Sequence, residues 1–175
     1  MAGEPDVVAR VRRRELLSPF NFCAFYLPHI LDADRILYVD TDVVVRADVS
    51  KLRGLDMGGH AAAATEDCSQ KLSKYINFQI LGRVLARRRA HGAHGALQFD
   101  AATNETCVFN RGVVLFDAAK WRNMRLTSAI EELIVLYVKS RARLWRGGVS
   151  QPPFLLALAG RYADLGLAWN VRGLG

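Results

Sequence analysis

The sequence has few cysteines, and none is arranged as a metal-binding or redox pair. Cys23, Cys68 and Cys107 are its three cysteines, and no two have the spacing of a CxxC motif. Zinc-finger and dithiol-redox sites are therefore improbable. No run approaches the roughly 20 apolar residues that a transmembrane helix needs, and residues 1–6 lack the apolar core of a signal peptide. We expect no targeting segment and no membrane contact within this chain.

Acidic residues are also in deficit, with 17 against 24 lysines and arginines and a net charge of +7. Basic clusters lie at residues 12–14, 87–89 and 141–146. This balance favours anionic partners, including nucleotide diphosphates, anionic membranes and nucleic acid, without choosing among them. The simplest interpretation of the arginine triplets is that they are solvated helix ends. Since no aromatic RNA-binding signature or zinc-finger spacing accompanies them, we expect no specific nucleic-acid recognition.

Length and composition predict one globular domain that spans residues 1–175. The hydrophobic fraction of 51% and the charged fraction of 23% are typical of soluble proteins. A chain of 175 residues is long enough to bury a sizeable core.

Two acidic residues follow the most strongly predicted strand. Residues 35–39 carry four consecutive apolar or aromatic side chains, which predicts a strand buried on both faces. Asp40 and Asp42 come directly after it, at the edge where open α/β sheets bind their ligands. In extended backbone the two carboxylates would share a face and could bind one divalent ion such as Mn²⁺ or Mg²⁺. The alternative is a loop with two solvated acids.

The rest of the chain predicts strands alternating with helices. The predicted helices cover residues 16–27, 72–89, 118–123, 130–138 and 154–159. The predicted strands after the first cover residues 60–65, 107–117 and 169–171, and His91 and His94 fall in a glycine-rich loop. The alternation predicts an α/β fold with a mostly parallel sheet flanked by helices. Gly112 would permit a close approach of ligand to the sheet, and Cys68 and Cys107 could pair.

Taken in order, these segments resemble the family 8 glycosyltransferases, most closely the glycosyltransferase 8 domain-containing members. The matching stretches are Asn21-Phe22, residues 25–28, residues 35–45 with their DxD motif, residues 59–63, residues 107–113 with their FNxGV-type motif, Trp121 and residues 169–175. The resemblance covers roughly nine-tenths of the chain.

The resemblance implies a GT-A (Rossmann-like) fold and a metal-dependent transfer of a hexosyl group from a UDP-sugar to a glycan, protein or lipid acceptor. It assigns Mn²⁺ (or Mg²⁺) binding to Asp40 and Asp42, donor binding to Thr41, Asn110, Arg111, Gly112 and Ser150, and catalytic roles to Gln151 and Asp67. It further implies retention of anomeric configuration through a same-face displacement, in which the departing phosphate helps to deprotonate the acceptor.

The resemblance also implies features that this sequence changes or does not contain. Ser150 stands where the family commonly has aspartate, and Ala24 stands where an arginine is often found. The first nucleotide-binding strand would precede Met1, and the histidine that completes the metal site would follow Gly175, so we expect a domain incomplete at both ends. Members of this kind are typically Golgi type II membrane proteins, which implies a location in the Golgi lumen.

Three other functions remain as alternatives. A DxD after a hydrophobic strand also occurs in haloacid-dehalogenase phosphatases, where Asp40 would be the nucleophile and Asp42 the acid. Those enzymes need a downstream acidic pair, and Asp164 stands alone. A non-catalytic descendant that binds a nucleotide sugar or a partner would keep the same motifs. A basic nucleic-acid binder would rest on charge alone.

Overall fold

The computed structural model describes residues 18–90, 102–146 and 148–171. The arginine triplet at 12–14, His91, His94 and the last four residues of the 169–175 motif lie outside this part. The strands are β1 (Arg35–Val39), β2 (Ala62–Lys71), β3 (Cys107–Asp117) and β4 (Ala163–Asp164). The helices are α1 (Phe20–Cys23), α2 (Leu27–Ile30), α3 (Leu72–Tyr75), α4 (Phe78–Ala90), α5 (Ala118–Asn123), α6 (Leu126–Ser140) and α7 (Gln151–Ala157).

The four described strands form one mixed sheet in the order β1-β3-β2-β4. β3 is antiparallel to both β1 and β2, whereas β4 is parallel to β2. The prediction of a mostly parallel sheet was therefore wrong in its pairings. β1, β2 and β4 do run in the same direction, but β3 runs the opposite way between β1 and β2, so two of the three pairings are antiparallel. The carboxyl ends of β1 and β2 consequently meet the amino-terminal half of β3.

β3 does not pair evenly with β2. Ala64 of β2 pairs with Val114, but the next residue, Thr65, pairs with Asn110. The intervening residues 111–113 form a bulge relative to β2. Bulges bend a strand and redirect side chains, and they are over-represented beside active sites. This bulge lies in the segment that carries the predicted donor-binding residues.

The larger hydrophobic core lies on the helical face of the sheet. Its centre is aromatic: the Trp121 ring meets Phe116 edge to face at 5.0 Å, and Phe154 packs between Phe25 and Phe109 at 5.8 and 5.3 Å. A smaller cluster, which includes Ala63, Leu115 and Leu165, packs on the opposite face. Hydrophobic side chains therefore pack on both faces of the sheet. Trp121, which belongs to the family-like pattern, is a core residue.

Several predicted elements differ from the observed ones in extent. The helix predicted at 16–27 consists, in its described part, of two single turns, α1 and the start of α2. The helix predicted from residue 72 is broken at Ile76 and Asn77, because these residues bond to the segment that follows α6: Ile76 forms a β-bridge with Trp145, and the Asn77 N–H donates to the Leu144 carbonyl at 2.8 Å.

Two predicted strands were also misplaced. β2 extends to Lys71, so Asp67 lies within the strand and not after it. Residues 167–169 form a 3₁₀ turn, where an extended segment was predicted at 169–171. Gly166 precedes this turn with a φ of 79°, which favours glycine and starts the change of direction. Both differences change how the site is assembled.

Cys68 and Cys107 form a disulfide, as the sequence suggested they could. Their Cα atoms are 4.6 Å apart, within the range for a bridge. The bond links β2 to the start of β3, close to the bulge. Cys23, the remaining cysteine, is free and half-buried, and its thiol donates to the Phe20 carbonyl at 3.0 Å.

The helices of the described segments give no sign of a bilayer-spanning element, because none combines the required length with the required apolar character.

Candidate functional site

The DxD residues form a tight turn at the end of β1. The Asp40 N–H donates to the Gly112 carbonyl at 2.8 Å, which extends the β1–β3 pairing by one residue. The chain then turns, and the Val43 N–H donates back to the Asp40 carbonyl at 3.3 Å. The sequence argument assumed extended backbone through both acids. The structure brings Asp40 and Asp42 to the same cleft through this turn.

Asp40 is held by a neighbouring phenol. The Tyr38 hydroxyl donates to Asp40 Oδ1. Burial raises the pKa of Tyr38, and the hydrogen bond to the Asp40 carboxylate and its negative charge raise that pKa further, while the positive charge of Arg111 lowers it. Tyr38 therefore remains a neutral donor at physiological pH and orients one oxygen of Asp40. Arg111 is close enough to act electrostatically on this pair.

Asn110 and Gly112 lie opposite the DxD turn, at the bulge of β3. The Gly112 N–H donates to Asn110 Oδ1 at 3.2 Å, which fixes the Asn110 side chain. A Cβ atom on Gly112 would lie 3.4 Å from Asn170 Nδ2 and 3.5 Å from Val43 Cγ2. Glycine at this position thus keeps the space between the DxD turn and the chain near Asn170 open.

The segment after β4 completes this side of the site, and Asp164 attaches it to β2. Asp164 Oδ1 accepts from the N–H groups of Glu66 and Gly166, both at 3.0 Å. The Thr65 hydroxyl donates to the Gly166 carbonyl at 3.1 Å. Asn170 Nδ2 then donates to the Asn110 carbonyl at 3.2 Å. These bonds connect β2, the 3₁₀ turn and β3 around one space.

That space is a cleft of about 1000 Å³. Its polar lining includes Asp40, Asp42, Asn110 and Asn170. Its apolar lining comes from residues 43–45, Leu52 and Trp169. Such a combination of an apolar wall with a few convergent polar groups is typical of small-molecule sites. Four of the predicted site residues, namely Asp40, Asp42, Asn110 and Gly112, therefore line one cleft.

The other predicted site residues lie beside the cleft or on other elements. Thr41 is exposed in the turn between the two aspartates, and Arg111 lies in the bulge between Asn110 and Gly112. Ser150 is buried before α7, and Gln151 is half-buried as its first residue. Neither these two nor Asp67 is among the described residues that line the cleft. Asp67 is half-buried in β2, and its Oδ1 accepts from the Ser69 N–H at 3.1 Å.

Glu66, next to Asp67, forms a second polar cluster with Tyr162. The Tyr162 hydroxyl donates to Glu66 Oε2 at 3.1 Å. Burial raises the pKa of Tyr162, and the negative charges of Glu66 and Asp164 raise it further. The phenol is therefore a neutral donor that holds the Glu66 side chain against the residue that precedes β4.

The donor set at Asp40 and Asp42 suits a hard divalent cation. Two carboxylates offer oxygen ligands, and Mg²⁺ in phosphate-binding sites commonly has one or two protein carboxylates plus substrate phosphates and water. In the described segments, a group of at least three His, Cys, Asp or Glu ligands occurs only at Glu66, Cys68 and Cys107. The two sulfurs of that group are joined in the disulfide.

Sequence reasoning did not select Asn170 as a site residue, although it placed Trp169-Asn170 among the family-like motifs. The contact with Asn110 joins residues 60 positions apart in the sequence. No local pattern reports such a contact. The one available signal in the sequence was that Asn170, next to Trp169, belongs to the last of the family-like motifs.

Comparison with known sequences shows a match over almost the whole chain. The profile of the family described as glycosyl transferase family 8 matches residues 7–175. Human glycosyltransferase 8 domain-containing protein 2 is 31% identical over 173 residues, which covers 93% of this chain and 48% of that protein. Probable galacturonosyltransferase-like 3 of Arabidopsis thaliana is 33% identical over 165 residues, 93% of this chain and 44% of that protein. The chain spans about half the length of these curated relatives.

Solved structures agree on the fold. The apo form of the glycosyltransferase GlyE from Streptococcus pneumoniae matches with a TM-score of 0.51 at 22% identity, over 85% of this chain and 28% of that one. The WbbM bifunctional glycosyltransferase matches with a TM-score of 0.52 at 15% identity, over 86% of this chain and 25% of that one. The α/β fold is therefore that of GT-A glycosyltransferases, as expected. With the profile match over residues 7–175, the chain belongs to glycosyl transferase family 8.

Proposed function

We propose that this chain forms the donor-binding part of a retaining glycosyltransferase. The transferred group is a hexosyl unit from a UDP-sugar, and the acceptor is a hydroxyl of a glycan, protein or lipid. Family membership supports a sugar donor and an acceptor. The finer assignment rests on one observation: both DxD carboxylates line the same cleft as Asn110 and Gly112.

Asp40 and Asp42 would hold Mn²⁺ or Mg²⁺ against the diphosphate of the donor. When bound, such an ion neutralises the charge that develops on the diphosphate leaving group. The hydrogen bond from the Tyr38 hydroxyl orients the Asp40 carboxylate. Thr41, in the turn between the two acids, is proposed to lie along the nucleoside.

The opposite wall would contact the donor sugar. Asn110 Oδ1 already accepts from the Gly112 N–H, so its NH₂ group remains as a donor for a sugar hydroxyl. Gly112 lets the sugar approach the backbone, since its missing Cβ leaves the contact region open. The positive charge of Arg111 favours an anionic donor beside the Tyr38–Asp40 pair. The family resemblance also assigns donor binding to Ser150, which is buried before α7 and does not line the cleft.

The transfer itself breaks the bond between the anomeric carbon and the diphosphate and forms a bond to the acceptor oxygen on the same face. The acceptor proton passes to the departing phosphate oxygen, so atoms and charge balance. Gln151 and Asp67 are proposed to stabilise and position the reacting sugar and acceptor. The product would keep the anomeric configuration of the donor.

The disulfide supports a location in an oxidising compartment, and the family resemblance favours the Golgi lumen among these. Disulfides persist in oxidising compartments and are rare in the cytosol. The Cys68–Cys107 bond beside the candidate site therefore fits a protein that works in a lumenal space.

Calorimetric titration of UDP into the protein, with and without Mn²⁺, tests the donor site. We expect Mn²⁺-dependent binding that falls by at least about tenfold in Asp40→Asn and Asp42→Asn, because each variant replaces a charged carboxylate ligand by a neutral amide, and loss of an outer-shell partner alone costs about 10–100-fold. Asp32→Asn, which changes an exposed acid that does not line the cleft, is the matched control. Equal UDP binding without metal, or an equal loss in the control, would contradict the assignment.

Release of UDP in the presence of acceptor glycans then tests turnover. Transfer with retention, measured by proton NMR of the product anomer, supports the enzyme. Binding of Mn²⁺ and UDP without any transfer by the intact protein would instead favour the non-catalytic alternative. Phosphate release from phosphomonoesters would favour neither the glycosyltransferase nor its non-catalytic descendant.

A further inference from the structure

Two exposed segments of this protein carry basic residues without any acidic residue between them. Segments 72–90 and 133–150 contain nine of the 24 lysines and arginines and none of the 17 acidic residues. In the first segment the basic residues are Lys74, Arg83, Arg87, Arg88 and Arg89. In the second they are Lys139, Arg141, Arg143 and Arg146. All nine side chains are exposed, and together they are called the basic surface below.

The two segments lie side by side although they are far apart in sequence. Ile76 forms an antiparallel β-bridge with Trp145. The Arg146 N–H donates to the Tyr75 carbonyl at 2.8 Å, beside the bond from Asn77 to the Leu144 carbonyl. α4 starts directly after this junction and continues for 13 residues, about 20 Å. Residues 144–146 therefore lie beside the start of α4, and the arginine triplet lies in the last turn of that helix.

Solvation of helix ends does not explain this arrangement fully. Positive charge in the last turn of α4 suits the helix dipole, which accounts for the triplet 87–89 in part. It also accounts for Arg141, the C-cap of α6, but not for Arg143 and Arg146, which lie beyond that helix and near the start of α4.

We propose that the basic surface binds a polyanionic glycan that carries carboxylate or sulfate groups. Seven of its nine residues are arginines, whose planar guanidinium groups pair bidentately with such anions. The disulfide is typical of oxidising compartments, where nucleic acid and the anionic cytoplasmic leaflet are absent. The chain also belongs to a family that handles sugars. This binding goes beyond the proposed function and does not depend on metal, donor or turnover.

Fluorescence anisotropy with two labelled probes of matched length tests the proposal. Dextran sulfate presents sulfate groups and a polyuronate presents carboxylates, while neutral dextran serves as the uncharged control. We expect saturable binding of at least one anionic probe near 0.15 M salt, weakening as salt is raised. The stronger probe identifies the anion. Equal binding of dextran, no binding of either anionic probe, or tighter binding of polyuridylate RNA would overturn the proposal.

Charge-neutralising triples locate the binding. Arg87→Gln with Arg88→Gln and Arg89→Gln, and separately Arg141→Gln with Arg143→Gln and Arg146→Gln, should each weaken binding about tenfold, since each exposed ion pair contributes a factor of about two. Lys51→Gln with Arg53→Gln and Arg125→Gln removes the same charge from exposed positions outside both the basic surface and the cleft, and should have little effect. An equal loss in this control would show that only net charge matters. UDP binding should be unchanged in both surface triples, which separates this test from that of the cleft.

Discussion

The side-chain nitrogen Nδ2 of Asn170 donates a hydrogen bond to the backbone carbonyl of Asn110 at 3.2 Å. This bond joins the end of the segment after β4 to the bulge of β3. Asn170 Nδ2 is also the atom that a Cβ on Gly112 would approach most closely. Asn170 therefore links the bulge to the segment after β4 and forms part of the cleft wall beside Gly112.

Asn170→Ala should reduce Mn²⁺-dependent UDP binding and lower the free energy of unfolding by about 1 kcal/mol, the usual value of one hydrogen bond. Asn170→Asp keeps the shape but replaces the donor by an acceptor that faces the Asn110 carbonyl, so we expect it to weaken binding more than alanine does. Calorimetry and urea unfolding measure the two effects. Asn123→Ala, an exposed asparagine at the end of α5, is the control. Binding that is higher in the aspartate variant than in the alanine variant would contradict this role.

Gly112→Ala should impair ligand binding with little loss of stability. The added Cβ would meet its nearest neighbours at 3.4–3.5 Å, which are ordinary contacts, and alanine loses less backbone entropy than glycine on folding, so the unfolding free energy should change by less than about 1 kcal/mol. The methyl group would still occupy space at the wall of the cleft. Gly54→Ala, where no atom lies within 4 Å of the new Cβ, is the matched control. A normal UDP affinity in Gly112→Ala would show that the ligand does not approach this wall.

The local parts of the fold could be predicted from the sequence because they depend on local patterns. β3 has the predicted bounds, residues 107–117, since its central apolar run is long and an acid ends it. The DxD strand and α5 were also confirmed at their predicted positions. The spacing of apolar residues and the residues that end an element are enough to predict its bounds where its apolar residues are buried without interruption.

The parts that depend on distant contacts could not be predicted. The insertion of β3 between β1 and β2 depends on which strands pair, and no local pattern reports that choice. The break at Ile76 depends on Trp145, and the place of Asn170 depends on Asn110. For the same reason, the sequence indicated Asp40, Asp42, Asn110 and Gly112 individually, while their common cleft could be seen only in the folded chain.

Removal of the disulfide should destabilise the protein substantially. The bridge closes a loop between residues 39 positions apart, for which the chain-entropy model gives about 4 kcal/mol. For a chain of this size that corresponds to a fall of roughly 10 °C in Tm. Differential scanning calorimetry of Cys68→Ser with Cys107→Ser measures it. Cys23→Ser, which changes the free cysteine, should behave nearly as wild type. If the double variant melts within about 2 °C of wild type, the loop does not limit stability.

Alkaline pH should destabilise the fold through three tyrosines that donate to carboxylates. Burial, followed by the hydrogen bond to Glu131, raises the pKa of Tyr26 to about 12, and burial together with neighbouring carboxylates raises the pKa of Tyr38 and Tyr162 as well. Near pH 10 the unfolded tyrosines begin to lose their protons while the folded ones keep theirs. Because the unfolded state then binds fewer protons, the free energy of unfolding decreases as pH rises from 10 towards 12.

Urea unfolding at pH 8 and at pH 11 measures this change. Tyr38→Phe and Tyr162→Phe should each make the decrease smaller, since each removes a phenol whose folded pKa is raised. Tyr75→Phe is the control, because the Tyr75 hydroxyl donates to the uncharged amide of Gln70 and not to a carboxylate. Tyr38→Phe should also weaken Mn²⁺-dependent UDP binding at neutral pH, where Tyr162→Phe should not, since only Tyr38 orients Asp40. If Tyr38→Phe and Tyr162→Phe changed UDP binding equally, Tyr38 would have no specific role in orienting the candidate metal ligand Asp40.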